Sequence, residues 1–161
     1  MEQKIVRTTH APAETQGLAR ALGEACQGGE LFLIVGSLGA GKTCFTQGLA
    51  SGLGVEEYVH SPTFVLAARY QGRLTLHHLD LYRLDTVAEV RDLAIDEFVD
   101  GEGVCAVEWA DKAIEVFPMD RMSVELEDLG GDKRRIILRA LGARHYRLLA
   151  RLPSPATARE R

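Results

Sequence analysis

Residues 31–45 read LFLIVGSLGAGKTCF, with three glycines (Gly36, Gly39, Gly41) between an apolar run and Lys42-Thr43. Gly36, four residues, Gly41, Lys42 and Thr43 match the phosphate-loop pattern G-x-x-x-x-G-K-[ST]. The flanks agree. Leu31 to Val35 is a continuous apolar run of strand length, preceded by Gly28-Gly29-Glu30, as expected of a parallel strand buried on both faces. After Thr43, Phe45, Leu49 and Leu53 recur every four residues, the spacing of one helix face, and Gly54 falls where a glycine cap would end that helix.

The residue types suit a phosphate. Glycines let successive backbone N–H groups turn inward with no Cβ in the way, and a helix N-terminus adds unpaired N–H groups and a positive dipole end. Gly36, Ser37, Leu38, Gly39, Ala40 and Gly41 would form the cradle, with Lys42, Thr43 and Cys44 opening the helix. Lys42 would place its ammonium between the terminal phosphates and Thr43 would bind Mg²⁺. The pattern alone arises by chance in roughly one chain of this length in a few hundred. Strand and helix in the right order make nucleotide binding the stronger reading over an ordinary glycine turn.

The 161 residues suit one domain with a sizeable core, and 46% hydrophobic with 26% charged residues is ordinary for a soluble globular chain. A net charge of −4 gives no general attraction to nucleic acid or anionic membrane. Cys26, Cys44 and Cys105 are scattered, odd in number and form no C-x-x-C pair. With no signal peptide and no bilayer-length apolar stretch, the expected setting is the cytoplasm. His77 and His78 would point to opposite faces of a strand, so they are read as a plain strand pair and not as joint metal ligands.

Further along, residues 1–9 suggest a polar strand and Pro12 the first turn of a helix with Leu18, Leu22 and Cys26 on one face. Thr63 to Tyr70 and Leu74 to Leu81 read as strands of a hairpin around Gln71-Gly72-Arg73. Thr86-x-x-Glu89 is a capping-box signature for a helix running to about Phe98. GVCAVEWA, residues 103–110, is another apolar strand, followed by a short helical piece ended by Pro118. Met122–Glu127 and Arg134–Ala140 form a second hairpin around Gly130-Gly131. Residues 1–152 are therefore read as one α/β domain, a reduced phosphate-loop NTPase fold with a mixed parallel and antiparallel sheet. Residues 153–161 have nothing to bury and are expected to fray.

A phosphate loop needs an acid at the end of a neighbouring strand to hold or orient the Mg²⁺ shell. Glu108 ends an apolar run and Asp80 lies in LHHLDLYRL, so these two carry that expectation. Trp109, the only tryptophan, follows Glu108 and could pack in the core or face a partner. Ser61-Pro62-Thr63 sits where GTPases keep a phosphate-sensing hydroxyl, or else is a rigid turn.

GSLGAGKT, SPTF, HHLDLYRL and VEWADK, in that order, resemble the TsaE (YjeE) family of bacterial ATPases of tRNA threonylcarbamoyladenosine biosynthesis. The resemblance runs from the N-terminal helix to about residue 112. It implies ATP and Mg²⁺ as ligands, weak hydrolysis alone, and action with TsaD and TsaB, which modify an adenosine beside the tRNA anticodon. It makes Lys42 the phosphate lysine, Thr43 and Glu108 the metal-site pair, and Asp80 the group that orients the attacking water. Ser61 and Thr63 become a switch-like segment, and Trp109 lies on the side used by partners. Glu14 and Thr15 correspond to the adenine side, and Arg134 would approach the nucleotide from the C-terminal hairpin.

Two other readings remain. A small-molecule kinase would need a lid, and there is no lid-length insertion between residue 98 and the strand at 103. A binding module without useful hydrolysis is the other. A GTPase is disfavoured by the lack of an N-K-x-D sequence.

Overall fold

The computed structural model describes residues 2–61, 67–99 and 101–153. In chain order the elements are β1 (Glu2–Thr9), α1 (Pro12–Ala25), β2 (Leu31–Gly36), α2 (Lys42–Gly52), β3 (Ala67–Tyr70) and β4 (Leu76–Asp80). Then come α3 (Val87–Arg91), α4 (Asp96–Val99), β5 (Val104–Glu108), a 3₁₀ helix (Ala110–Val116), β6 (Arg121–Gly130), β7 (Lys133–Leu141) and α5 (Ala143–Ala150).

The strands form one seven-stranded sheet in the order β1-β7-β6-β2-β5-β4-β3. β2 pairs in parallel with β5 on one side and β6 on the other, and β4 pairs in parallel with β5. The β6–β7, β7–β1 and β3–β4 pairings are antiparallel, so the sheet is mixed, as expected.

Strand side chains alternate faces, and both faces of β2 are covered. Phe32 and Ile34 join Leu22, Phe45, Leu49, Val124 and Leu148 in one core layer. Leu31 and Leu33 join Leu79, Val90, Val107 and Ala110 in the other. That is why the strand reads as an unbroken apolar run.

α1 and α2 touch backbone to backbone. A Cβ at Gly23 would lie 2.4 Å from the Leu49 carbonyl oxygen, one at Gly48 2.4 Å from that of Gln16, and one at Gly52 2.2 Å from that of Arg20. Only glycine fits this seam. α2 ends as its sequence suggests, with Gly54 at φ +82° just beyond it.

The capping box at Thr86 forms: its Oγ1 accepts from the Glu89 N–H at 3.2 Å, and the Glu89 carboxylate accepts from the Thr86 N–H at 3.0 Å. The single helix expected to reach Phe98 does not. It breaks after Arg91 and resumes at Asp96, with Ala94 at φ +54° between. Val90 and Ile95 enter the same core layer. In a continuous helix, five residues would set them about 140° apart, so the break turns Ile95 inward. α5 had no counterpart in the sequence reading; it buries His145, Leu148 and Leu149. The expected strand start at Thr63 and the expected tail beyond Pro153 lie outside the described residues.

Candidate functional site

β2 delivers the chain to the C-terminal edge of the sheet, where Gly36–Gly41 turn it back into α2. Gly39 and Gly41 take φ of +82° and +105°, values that favour glycine. At Gly36 the requirement is space, since a Cβ there would lie 2.7 Å from the Leu126 carbonyl oxygen.

Lys42, the first residue of α2, is buried, and its Nζ donates to the carbonyl oxygens of Gly36 and Ser37 at 2.8 Å each. The same ammonium lies 3.9 Å from the centre of the Trp109 ring. Burial pushes the Lys42 pKa below its ordinary value, against the opposing pull of Glu108, Asp111 and Asp80.

Thr43 Oγ1 lies 3.0 and 3.2 Å from the two carboxylate oxygens of Glu108 and 2.7 Å from Ser61 Oγ. Glu108 is itself buried at the end of β5. It accepts from Thr46 Oγ1 at 3.3 Å and lies 2.6 Å from His78 Nε2. The parallel β4–β5 register sets Asp80 directly opposite Glu108, so the two acids end neighbouring strands on the edge that carries the loop. Asp80 Oδ1 accepts from the Tyr82 N–H at 2.9 Å. Burial raises the Asp80 pKa; the Tyr82 hydrogen bond opposes this, the Glu108 charge adds to it, and Ser61 and His78 oppose it.

Lys42, Thr43, Ser61, Asp80, Glu108 and Trp109 thus line one cleft of about 390 Å³ at the mouth of the loop. Trp109 takes a left-handed backbone (φ +60°), uncommon for a bulky residue, and its ring packs 4.9 Å from that of Tyr82. A smaller cavity of about 90 Å³ beside α2 gathers Thr15, Cys44 and Arg134 with Pro12, Gly41 and Asp132. Thr15 Oγ1 is 2.7 Å from Thr9 Oγ1. Arg134 donates to the outer carbonyls of the loop, to Ala40 at 3.0 Å and Gly39 at 3.2 Å. Glu14 lines neither cavity; its carboxylate accepts from the His10 N–H at 2.8 Å. Thr63 lies outside the described residues.

Two contributors escaped the sequence reading. The plain strand pair His77-His78 does split between faces, His77 against Phe98 and His78 onto Glu108. His78 is two residues from Asp80 and so shares its face, which was the available signal. Thr46, one turn into α2 after Lys42, was the other.

The donors around Thr43 are oxygens, suited to a hard cation such as Mg²⁺, which keeps several waters and takes one or two carboxylate or hydroxyl ligands beside the phosphates of a nucleotide. Among the described residues no three His, Cys, Asp or Glu side chains gather as an all-protein cage. None of the three cysteines is in a disulfide, and no described helix is long and apolar enough to cross a membrane.

A parallel strand that runs through a glycine loop into a helix opening with Lys-Thr, with an acid ending the next strand, defines the phosphate-loop class of α/β proteins. The family model of the threonylcarbamoyl adenosine biosynthesis protein TsaE matches residues 9–137. The chain belongs to the TsaE family. It is 40% identical over 153 residues to the tRNA threonylcarbamoyladenosine biosynthesis protein TsaE of Bacillus subtilis, covering 94% of this chain and 95% of that one. The TsaE of Treponema pallidum is 40% identical over 123 residues, covering 76% of this chain and 91% of that protein. The crystal structure of Bacillus subtilis YdiB superposes with a TM-score of 0.82 at 33% identity, over all of this chain and 99% of that one.

Proposed function

We propose that this chain is a Mg²⁺-dependent ATP-binding protein and weak ATPase of the cytoplasm that serves threonylcarbamoyladenosine modification of tRNA. It acts with TsaD and TsaB, resetting their complex so that modification continues over multiple turnovers, and it meets tRNA only through them. Membership of the TsaE family supports the role in tRNA modification. The observation that carries the ATPase reading is the Thr43 hydroxyl on the Glu108 carboxylate at the start of α2, with the Lys42 ammonium one residue away.

Each group then has a task. The loop N–H groups and the N-terminus of α2 bind the β-phosphate. Lys42 exchanges the Gly36 and Ser37 carbonyls for phosphate oxygens, neutralising charge where the γ-phosphoryl leaves. Mg²⁺, when bound at Thr43 and Glu108, supplies Lewis-acid stabilisation of that charge. Asp80 orients the water that attacks the γ-phosphorus in line, and ADP departs as the bridging oxygen takes the electron pair. Among the described residues no arginine lines the cleft that holds Lys42, which supports a slow basal rate that rises when partners complete the site.

Lys42→Ala should abolish ATP binding in calorimetry while the protein still melts cooperatively. With TsaD and TsaB, the wild type should give many modified tRNAs per complex and Lys42→Ala about one. Equal yields would overturn the proposal.

A further inference from the structure

Four donors surround the Glu108 carboxylate, and three are hydroxyls free to rotate elsewhere. Thr46 Oγ1 also reaches the Lys42 carbonyl at 3.0 Å, and Ser61 Oγ reaches Thr43 Oγ1 at 2.7 Å. Thr43 Oγ1 itself is the hydroxyl that the ATPase reading turns toward a cation. The fourth donor is different. His78 Nε2 lies 2.6 Å from Glu108 Oε2, its direction is set by the ring, and the side chain is wholly buried.

The other ring nitrogen of His78, Nδ1, is buried and has no hydrogen-bond partner among the described residues. An unpartnered polar atom in a core carries a desolvation cost that an apolar side chain of similar size would avoid. His78 is therefore poorly explained by packing, and among the described residues its one side-chain hydrogen bond is to Glu108. The same accounting favours one tautomer: a hydrogen on Nδ1 would have no acceptor among the described residues, whereas one on Nε2 is donated to the carboxylate.

We propose that His78 is a positioning residue that holds the Glu108 carboxylate toward Thr43 and thereby sets how tightly the site takes a divalent cation. The proposal rests on the ATPase reading above. β4 makes the arrangement possible: in its parallel register with β5, Asp80 stands opposite Glu108 and His78 opposite Ala106, one step deeper on the same face. An imidazole at that depth approaches Glu108 from behind and leaves its cleft side open. Donors behind a metal-binding carboxylate are worth about 10- to 100-fold in metal affinity in other sites.

The test compares wild type with His78→Leu, His78→Asn and His78→Gln. Glutamine can bring its amide nitrogen to the point occupied by Nε2; asparagine is too short and leucine has no donor. Mn²⁺ is the probe, titrated by electron paramagnetic resonance with a non-hydrolysable ATP analogue bound. Analogue affinity in EDTA and the melting temperature are recorded for each variant. Leu and Asn should weaken Mn²⁺ binding about 10- to 100-fold, with analogue affinity in EDTA close to wild type, and Gln should recover most of the loss. The Mg²⁺ concentration for half-maximal ATP turnover should move in parallel. If leucine prevents folding, the Asn–Gln comparison decides. Wild-type Mn²⁺ affinity in Asn, or equal weakening in Asn and Gln, would overturn the proposal. A wild-type protein that binds neither analogue nor Mn²⁺ would overturn the ATPase reading itself, and this proposal with it.

Discussion

The Lys42 ammonium rests 3.9 Å from the centre of the Trp109 ring while donating to the Gly36 and Ser37 carbonyls. A cation at a desolvated ring face is worth about 2 kcal/mol, so a nucleotide must outbid both ring and carbonyls. Mg·ATP should therefore change the fluorescence of this single indole, and GTP at the same concentration should change it less. Lys42→Ala should alter the resting emission and abolish the response. An indole silent to saturating Mg·ATP would contradict the exchange.

The two acids should fail differently. Asp80→Asn should lower ATP turnover by about 10²- to 10⁴-fold while ATP affinity in calorimetry is kept. Glu108→Gln should raise the Mg²⁺ requirement, with part of the lost turnover recovered at high Mg²⁺. Loss of ATP binding in Asp80→Asn, or normal turnover of Glu108→Gln at limiting Mg²⁺, would contradict this division.

Two glycines of α1 should respond with opposite sign. Gly23 faces the Leu49 carbonyl across the seam, whereas a Cβ at Gly17 meets nothing within 4 Å. Gly23→Ala should destabilise by about 1–3 kcal/mol, lowering the melting temperature by roughly 3–10 °C. Gly17→Ala should stabilise by about 0.5–1 kcal/mol through helix propensity. Thermal melts of the two single variants check both signs.

His145 gives stability a pH dependence. Its Nε2 accepts from the Leu31 N–H at the start of β2, and its Nδ1 faces Asp120. Burial lowers its pKa below 6.5, against the raising effects of Asp120 and Glu30, and Arg144 lowers it further. With the folded value below the unfolded one, the unfolded chain binds the proton first. The contribution is complete above about pH 6.5 and falls as pH drops toward the folded value. In melts between pH 7.5 and 5.5, wild type should lose more stability than His145→Gln. Parallel curves would contradict this.

Local patterns were legible in the chain. The strand, glycine loop and helix around Lys42, both hairpins and the Thr86 capping box each depend on residues close in sequence, and each formed. The Lys42, Thr43, Asp80 and Glu108 cluster could be anticipated because each residue sits at an element end. What escaped depends on tertiary neighbours. The break at Ala94 answers to a core that must receive both Val90 and Ile95. His78 gains its meaning from the parallel pairing of β4 with β5, which neither strand encodes alone. α5 is short, and the partners that bury it lie far earlier in the chain, as with His145, which accepts from the Leu31 N–H.

The glycine seam also has a mechanical side. With the backbones of α1 and α2 in direct contact at Gly23, Gly48 and Gly52, no side-chain layer between them can yield. α1 acts as a handle fixed to α2, whose first two residues are Lys42 and Thr43. A load on its exposed residues, such as Ala13 and Gly17, meets no compressible side-chain layer at these glycines before it reaches α2.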